Sequence, residues 1–418
     1  MHRIILRRVA GATLLVLAAV GSLAAAGLAF LVAASVTATI PVITAVAAAV
    51  FAATAFLVAW AGFATFGTRR NRRLAAGFSG ATTILAGVLA ALTLFTPGPI
   101  VLGAAAPPGV RFWDLPTGSR IAYQHAPATS GTARPTPVIF LHGGPGTPGE
   151  GIPAAGRALA ADGYDVYTYD QVGAGRSTRL ADVTGYTVAR QVADLDAIRA
   201  AIGADRVVLI GQSWGGSLAA QYLAAHADRV AKAIITSPGP IWRGDIVTDA
   251  DEGSPWTEAP DLTPRALAMF LLTENNPRAA HALVPDAEAD SWLHELALTG
   301  RDSAGCPGTP SSPAHGNMQG FYVNQVTNAD FAHIPDPRPA LRRVTVPALV
   351  LRGECDFVKW QITRDYRRTL PNSTLVYVHG AGHALAAGQP DTYLALVQAF
   401  LSDRPLPLPD YSSDEPPR

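Results

Sequence analysis

Hydrophobic and polar positions follow two different patterns along this chain. From Val9 to Thr68 no residue is charged, and beyond Arg69-Arg70-Asn71-Arg72-Arg73 a second uncharged run extends from Leu74 to Val110. A bilayer core takes about 20 apolar residues per helix. Pro41 divides the first run, so the pattern predicts three transmembrane helices, near 10–34, 41–66 and 80–103, in a membrane domain over residues 1–106. None of these segments has the polar face that a soluble amphipathic helix needs. Their many Ala and Gly residues suit close helix packing in lipid.

After Val110 the texture changes to short β-branched runs alternating with helical periodicity. Strands are predicted near 109–114, 120–125, 137–142, 165–170, 206–211, 231–236, 347–352 and 374–378. A typical helix between them is Ala189 to Ile202, with Val192, Leu195, Ile198 and Ile202 on one face. Such alternation predicts an α/β fold, a mostly parallel eight-stranded sheet with helices on both faces. It breaks between Pro238 and Leu341, too long a stretch for a structureless connection in a compact domain. Pro264 to Leu271 and Ala287 to Leu298 have helical composition, so residues 239–341 are expected to form a helical cap. The catalytic domain then comprises 107–238 and 342–405. The Pro-, Asp- and Ser-rich tail, 406–418, is expected to be disordered.

Charge placement orients this arrangement. Arg3, Arg7 and Arg8 precede the first span, four arginines lie between the second and third, and the link around Val36 to Ile40 has none. By the positive-inside rule the amino terminus is cytoplasmic and the catalytic domain lies outside a multi-pass cell-membrane anchor. Leu23-Ala24-Ala25-Ala26 also resembles a processing site, the alternative being a cleaved first segment. All seven charges before Val110 are arginines, which leaves 25 basic against 32 acidic residues beyond it. A mildly acidic domain disfavours nucleic acid as a partner. With no C-x-x-C pair and no H-E-x-x-H helix, neither a metal nor a cofactor is expected.

The chemistry centres on Gly211-Gln212-Ser213-Trp214-Gly215, directly after the strand pattern Arg206 to Ile210 and before the helical pattern from Ser217. A strand, a turn too sharp for side chains at its flanks, and a helix would expose the Ser213 hydroxyl as a nucleophile. Serine needs a base, and the base an orienting acid. In this fold they follow in the order acid, then histidine, each after a later strand. Asp356 follows the run Pro347 to Gly353, although helix capping is an alternative role for it. Two histidines follow the last strand pattern, His379 and His383. The Gly-containing turn can swing His383 back over the sheet edge, which favours it as the base. Acyl transfer also needs two N–H donors toward the oxyanion. Trp214 supplies one, and Gly144 in His142-Gly143-Gly144-Pro145-Gly146 the other; His142 itself reads as a structural hydrogen-bonding residue. With serine rather than aspartate at the elbow, epoxide-hydrolase or dehalogenase chemistry is disfavoured.

HGGPG at 142–146, Asp170-Gln171-Val172-Gly173-Ala174-Gly175-Arg176-Ser177 and the Gly211–Gly216 elbow resemble the proline iminopeptidase group of α/β-hydrolases. The resemblance runs from about Val110 to Leu401. It implies Ser213 as nucleophile, Asp356 as acid, His383 as base, N–H donors at Gly144 and Trp214, and a structural loop around Asp170. Val172 stands where that group has arginine. Glu252, Glu258, Glu274, Glu288 and Glu295 are the cap's acidic candidates for binding a substrate amine, but none lies in a recognisable copy of the group's cap motif. The expectation is a membrane-anchored extracytoplasmic serine hydrolase that releases N-terminal residues from small peptides. An esterase of small esters or lipids is one alternative, and an inactive membrane-tethered binding module is another. The chain's only cysteines, Cys306 and Cys355, are expected to bridge cap and core, since an exported domain meets oxidising conditions.

Overall fold

The computed structural model describes residues 2–67, 69–129, 131, 133–244, 262–309 and 314–417. The chain divides into two compact units, Met1–Pro99 with Asp261–Glu288, and Ile100–Pro260 with Ala289–Arg418.

Three long helices dominate the first unit: α1 (His2–Ala34), α2 (Ile40–Thr65) and α3 (Asn71–Thr93). All three are long and apolar enough to cross a membrane. Pro41 stands at the start of α2, where its missing N–H costs nothing. Small residues set the packing. A side chain at Gly11 of α1 would overlap Thr65 and Phe66, and one at Gly62 of α2 would meet the Gly11 carbonyl at 3.2 Å. Ser79 of α3 donates to the Ala52 carbonyl of α2 at 2.8 Å. Arg72 lies 5.0 Å from the ring centre of Trp60, a cation–π contact between the start of α3 and the end of α2.

The third helix occupies 71–93, not the predicted 80–103. Its start takes in Arg72 and Arg73, and it stops before Thr96-Pro97-Gly98-Pro99, where the prolines disfavour helical backbone and cannot donate. The same unit contains α7 (Pro264–Asn275) and α8 (Pro277–Leu283). The segment expected to form one cap is therefore divided, 261–288 belonging with the long helices and 289–341 with the sheet. The physical reason is polar satisfaction at helix ends, which leave orphan carbonyls. Asn275 donates to the Leu31 carbonyl at 2.7 Å, Asn276 to that of Ala34 at 2.8 Å, and Arg265 to that of Leu94 at 2.9 Å.

The second unit is an eight-stranded sheet in the order β1-β2-β4-β3-β5-β6-β7-β8. Its strands are β1 (Arg111–Asp114), β2 (Arg120–Ala126), β3 (Val138–Leu141), β4 (Val166–Tyr169), β5 (Val207–Gln212), β6 (Val230–Thr236), β7 (Ala348–Cys355) and β8 (Ser373–Gly382). β2 pairs antiparallel with β1 and β4, and every other pairing is parallel. The central strands are apolar on both faces because both are covered. Val138, Val208, Ile234, Leu349 and Val376 pack with α4 (Ala154–Ala161) and α14 (Pro390–Leu401). α6 (Trp214–His226) lies against β3, β5 and β6, with α5 (Val188–Ile202) beside it. Thr187 caps α5 through the Arg190 N–H and Gly203 ends it in left-handed backbone. α9 (Asp286–Gly300), α10 (Phe321–Phe331) and the short α11 (Arg338–Leu341) fill the insertion, and α12 (Trp360–Thr369) and α13 (Leu385–Gly388) flank β8.

The tail expected to be disordered is ordered along the sheet edge. The Tyr411 N–H reaches the Leu375 carbonyl at 2.6 Å, Asp410 pairs with Arg367 at 2.9 Å, and Trp360 donates to the Asp414 carbonyl at 2.9 Å. Its aspartates meet the basic end of α12 while its backbone covers the otherwise unpaired edge of β8.

Candidate active site

Strand order reverses between β3 and β5, the seam at which sheets of this kind open a crevice beyond their carboxyl ends. Two glycine-rich segments leave the sheet there. After β5 the chain turns at Ser213, which has φ 54° and ψ −121°, a region that residues with side chains rarely adopt. The Ser213 N–H reaches the Thr236 carbonyl at 3.0 Å, and its own carbonyl accepts from Gly216 and Gly239, both at 2.9 Å. A Cβ at Gly211 would overlap the Gly215 carbonyl, and one at Gly215 would overlap that of Leu141. Only glycine allows the two strands and the helix start to converge around the serine. Trp214 opens α6, its ring edge-on to Phe331 of α10 at 5.1 Å.

The other segment follows β3. Gly144 has φ 112°, and its peptide bond to Pro145 is cis. A Cβ at Gly143 would stand 3.2 Å from that of Ser213, so this loop passes directly over the elbow. α10 holds it from the other side: Asn324 donates to the Pro145 carbonyl at 2.7 Å, and the Gly320 N–H to that of Gly146 at 2.8 Å. His142 is fully engaged in hydrogen bonds. Its Nδ1 donates to the Gly143 carbonyl at 2.9 Å, while Nε2 accepts the Gln171 N–H at 2.9 Å. Burial lowers its pKa to about 4, partly countered by the Gly143 bond, so the ring is neutral near pH 7 and carries the proton on Nδ1.

β7 and β8 bring Asp356 and His383 together. His383 Nδ1 lies 2.8 Å from Asp356 Oδ1, with both side chains buried. The Val358 N–H reaches the same oxygen at 3.0 Å, and Arg352 stands 3.3 Å from Oδ2. Burial by itself would raise the Asp356 pKa. The His383 hydrogen bond, the Arg352 charge and the Val358 N–H outweigh it and hold the carboxyl below its ordinary range. Phe357 lies against the imidazole at 4.2 Å between ring centres. Gln212, the residue before Ser213, donates to the His383 carbonyl at 3.2 Å, which ties the end of β5 to the histidine loop. His379 is elsewhere, largely exposed and 3.7 Å from Glu354.

The Cys306 and Cys355 sulfurs are 2.10 Å apart with Cα atoms at 5.2 Å, the geometry of a disulfide. The Ala384 N–H reaches the Ala304 carbonyl at 2.9 Å, so one short loop engages the residues beside both Asp356 and His383. Asp170 stabilises its own turn through the Arg176 N–H at 2.8 Å and Asn317 at 3.0 Å, and burial pushes its pKa up to about 6. Of the cap glutamates, Glu252 and Glu258 lie outside the described residues. Glu288 is engaged by Arg265 at 2.6 Å, and Glu274 and Glu295 are exposed. Sequence reading missed Arg352, Gln171 and Asn324. Arg352 left a visible trace, a lone charge inside a buried-strand run; Gln171 lies within the Asp170–Ser177 motif, which named the loop but not its bond to His142; Asn324 left none. Among the described residues no group of His, Cys, Asp and Glu could hold a metal ion.

Residues 136–387 match the family model described as alpha/beta hydrolase fold. The chain is 28% identical over 300 residues to the proline iminopeptidase of Heyndrickxia coagulans, covering 68% of this chain and 96% of that one. It is 33% identical over 276 residues to a probable proline iminopeptidase of Leptolyngbya boryana, covering 61% and 84% respectively. A thermophilic esterase from Thermogutta terrifontis shares the fold with a TM-score of 0.50 at 19% identity, over 70% of this chain and 98% of that one.

His142 makes the fold acid-sensitive. Its folded pKa of about 4 lies below the ordinary 6.5, so the unfolded chain binds the extra proton between those values. Stability is therefore present above about pH 6.5 and is lost as pH falls toward 4, by on the order of 2–3 kcal/mol. Asp170, raised to about 6, acts in the opposite sense, so a difference measurement is needed. His142→Gln keeps an acceptor for the Gln171 N–H without titrating. Its denaturation midpoint should gain on that of the parent between pH 7 and pH 4; a constant difference would contradict this account.

Proposed function

The chain belongs to the alpha/beta hydrolase fold family, and on that premise we propose a membrane-anchored, extracytoplasmic serine hydrolase that releases N-terminal residues from short peptides. The observation that carries this reading is the buried His383–Asp356 pair at 2.8 Å, beside an elbow whose serine is held at positive φ. Ser213 Oγ attacks the substrate carbonyl while His383 Nε2 takes its proton. Asp356 holds the imidazole with its proton on Nδ1 and stabilises the cation that forms. The N–H groups of Trp214 and Gly144 receive the oxyanion, which is worth roughly 3–4 kcal/mol per donor in comparable sites. His383 then protonates the leaving amine, and water repeats the attack on the acyl-enzyme.

Peptide substrates are favoured because the curated relatives are proline iminopeptidases. An esterase reading is supported by the acidic candidates among the described residues: Glu288 is already paired with Arg265, Glu274 lies with the long helices, and Glu295 stands exposed. An amine-binding acid is the part that would separate the two activities. The Cys306–Cys355 pairing suits an oxidising exterior, in agreement with arginines clustered before the first and third helices.

Ser213→Ala should abolish fluorophosphonate labelling and lower kcat by on the order of 10⁶-fold, and His383→Ala should fall to a similar level because the two act as a unit. His379→Ala should stay close to the parent. Near-normal turnover of the Ser213 variant on a panel of aminoacyl, acetylated-peptide and ester substrates would refute the mechanism. The same panel, applied to the parent, separates peptidase from esterase by relative kcat/KM.

Orientation has its own test. A reporter active only in the oxidising exterior, fused after Arg418, should be active, and one fused at Arg73 silent. The opposite pattern would place the catalytic unit in the cytoplasm.

A further inference from the structure

We propose that α7 is an interfacial helix whose outer face, Leu267, Ala268 and Leu271 with the preceding Leu262, is seated in the headgroup–acyl boundary of the bilayer. This rests on the membrane-anchored reading and adds a second, non-spanning attachment made by a segment from the middle of the chain.

Both sides of α7 are apolar. Ala266, Met269 and Leu272 are buried, as is Arg265 with its ion-pair partner Glu288. A surface helix whose inner face is so occupied should turn polar residues outward. Instead Leu267 and Leu271, four residues apart and hence on one face, are 47% and 45% exposed, and Leu262 is 56% exposed. Among the described residues beyond Pro107, the only other large hydrophobic side chain so exposed is Phe112, which the Arg120 guanidinium covers at 4.2 Å.

Position identifies what covers this face. α7 and the start of α8 are fastened to the carbonyl ends of α1 and α3: Asn275 to Leu31, Asn276 to Ala34, Arg265 to Leu94. α1 has 33 residues and is about 50 Å long, well beyond the roughly 30 Å hydrocarbon thickness. Counted from Arg8, the last charged residue before the apolar run, it still extends about 39 Å, so with Arg8 at one surface its last turns reach the lipid headgroups of the other. Around this end Leu28, Val32 and Val36 of α1 and the turn after it, and Leu92 of α3, are exposed as a lipid-facing surface should be. The leucine face of α7 continues that surface at the depth where amphipathic helices lie in the plane of a membrane. Polar residues take over at its end, with exposed Glu274 and Asn275 followed by Arg278.

The test uses the full-length oxidised chain in phosphatidylcholine–phosphatidylglycerol nanodiscs. Leu267→Cys and Leu271→Cys are labelled with an environment-sensitive fluorophore. Leu85→Cys in α3 serves as the membrane control and Asp391→Cys in α14 as the water control. Nitroxide lipids labelled at shallow or deep acyl positions quench from the bilayer, and iodide quenches from water. Labels at 267 and 271 should be shielded from iodide and quenched roughly twofold more by the shallow than the deep nitroxide, while Leu85 responds to the deep one. Iodide access at 267 and 271 equal to that at 391, with Leu85 still quenched by lipid, would overturn the interfacial helix alone. Shielding from both quenchers would also overturn it, because protein would then cover the face. Iodide access at Leu85 would overturn the membrane reading and this proposal together.

Discussion

A serine held in left-handed backbone at the seam of the sheet is the constraint from which the rest of the catalytic unit follows. Strain of this kind costs on the order of 1–3 kcal/mol and persists only where the surroundings over-determine it. Here they do. Gly211 and Gly215 must lack side chains because the Gly215 and Leu141 carbonyls occupy their space, which draws β3, β5 and the start of α6 together. A second strained residue supports the first: Ser237, after β6, has φ 43°, and two residues on the Gly239 N–H takes the Ser213 carbonyl. The parallel ladder from β3 through β8 supplies the rigidity, since each central strand is buried on both faces.

Charge is arranged around this elbow with the same economy. Asp356 is buried, and an isolated carboxylate there would take up a proton. Three partners keep it ionised: a histidine, a backbone N–H and, across the end of β7, Arg352. An ionised Asp356 requires a proton on His383 Nδ1, which leaves Nε2 free to accept one. His142 achieves the same tautomer with a carbonyl in place of a carboxylate, and both its nitrogens are consumed by the loop it stabilises. Two histidines near one site thus differ in what they can do because their partners differ.

Much of this was legible in the sequence, for identifiable reasons. Strand–helix alternation is a local signal, and all eight strands fall within a few residues of where apolar runs end. The elbow and the HGGPG loop were legible because each demands glycine at fixed positions. His383 could be preferred to His379 because a glycine turn has a direction. What could not be read depends on residues distant in sequence. Asn324 reaches Pro145 and the tail reaches β8 through contacts that neither composition nor periodicity encodes. The end of the third helix was misjudged because hydropathy continues past Pro97 although helical backbone does not.

The division of the cap has the same origin. Composition marks 264–271 and 287–298 as helical, but hydrophobic periodicity cannot say which core a helix serves. That is decided by polar groups with a single available partner. The last carbonyls of α1 and α3 need donors that the helices themselves cannot supply. Asn275, Asn276 and Arg265 provide them, and Arg265 is in turn held in a buried bidentate pair with Glu288, which also accepts the Gly98 N–H at 2.7 Å. Removing either ion would leave its partner buried and uncompensated, at a cost of about 3–5 kcal/mol. The pair thus fixes α7 among the long helices more firmly than its apolar contacts alone would. A stretch of chain with the composition of an ordinary lid is committed to the unit of long apolar helices by a few side chains whose partners lie roughly 170 to 245 residues away in sequence.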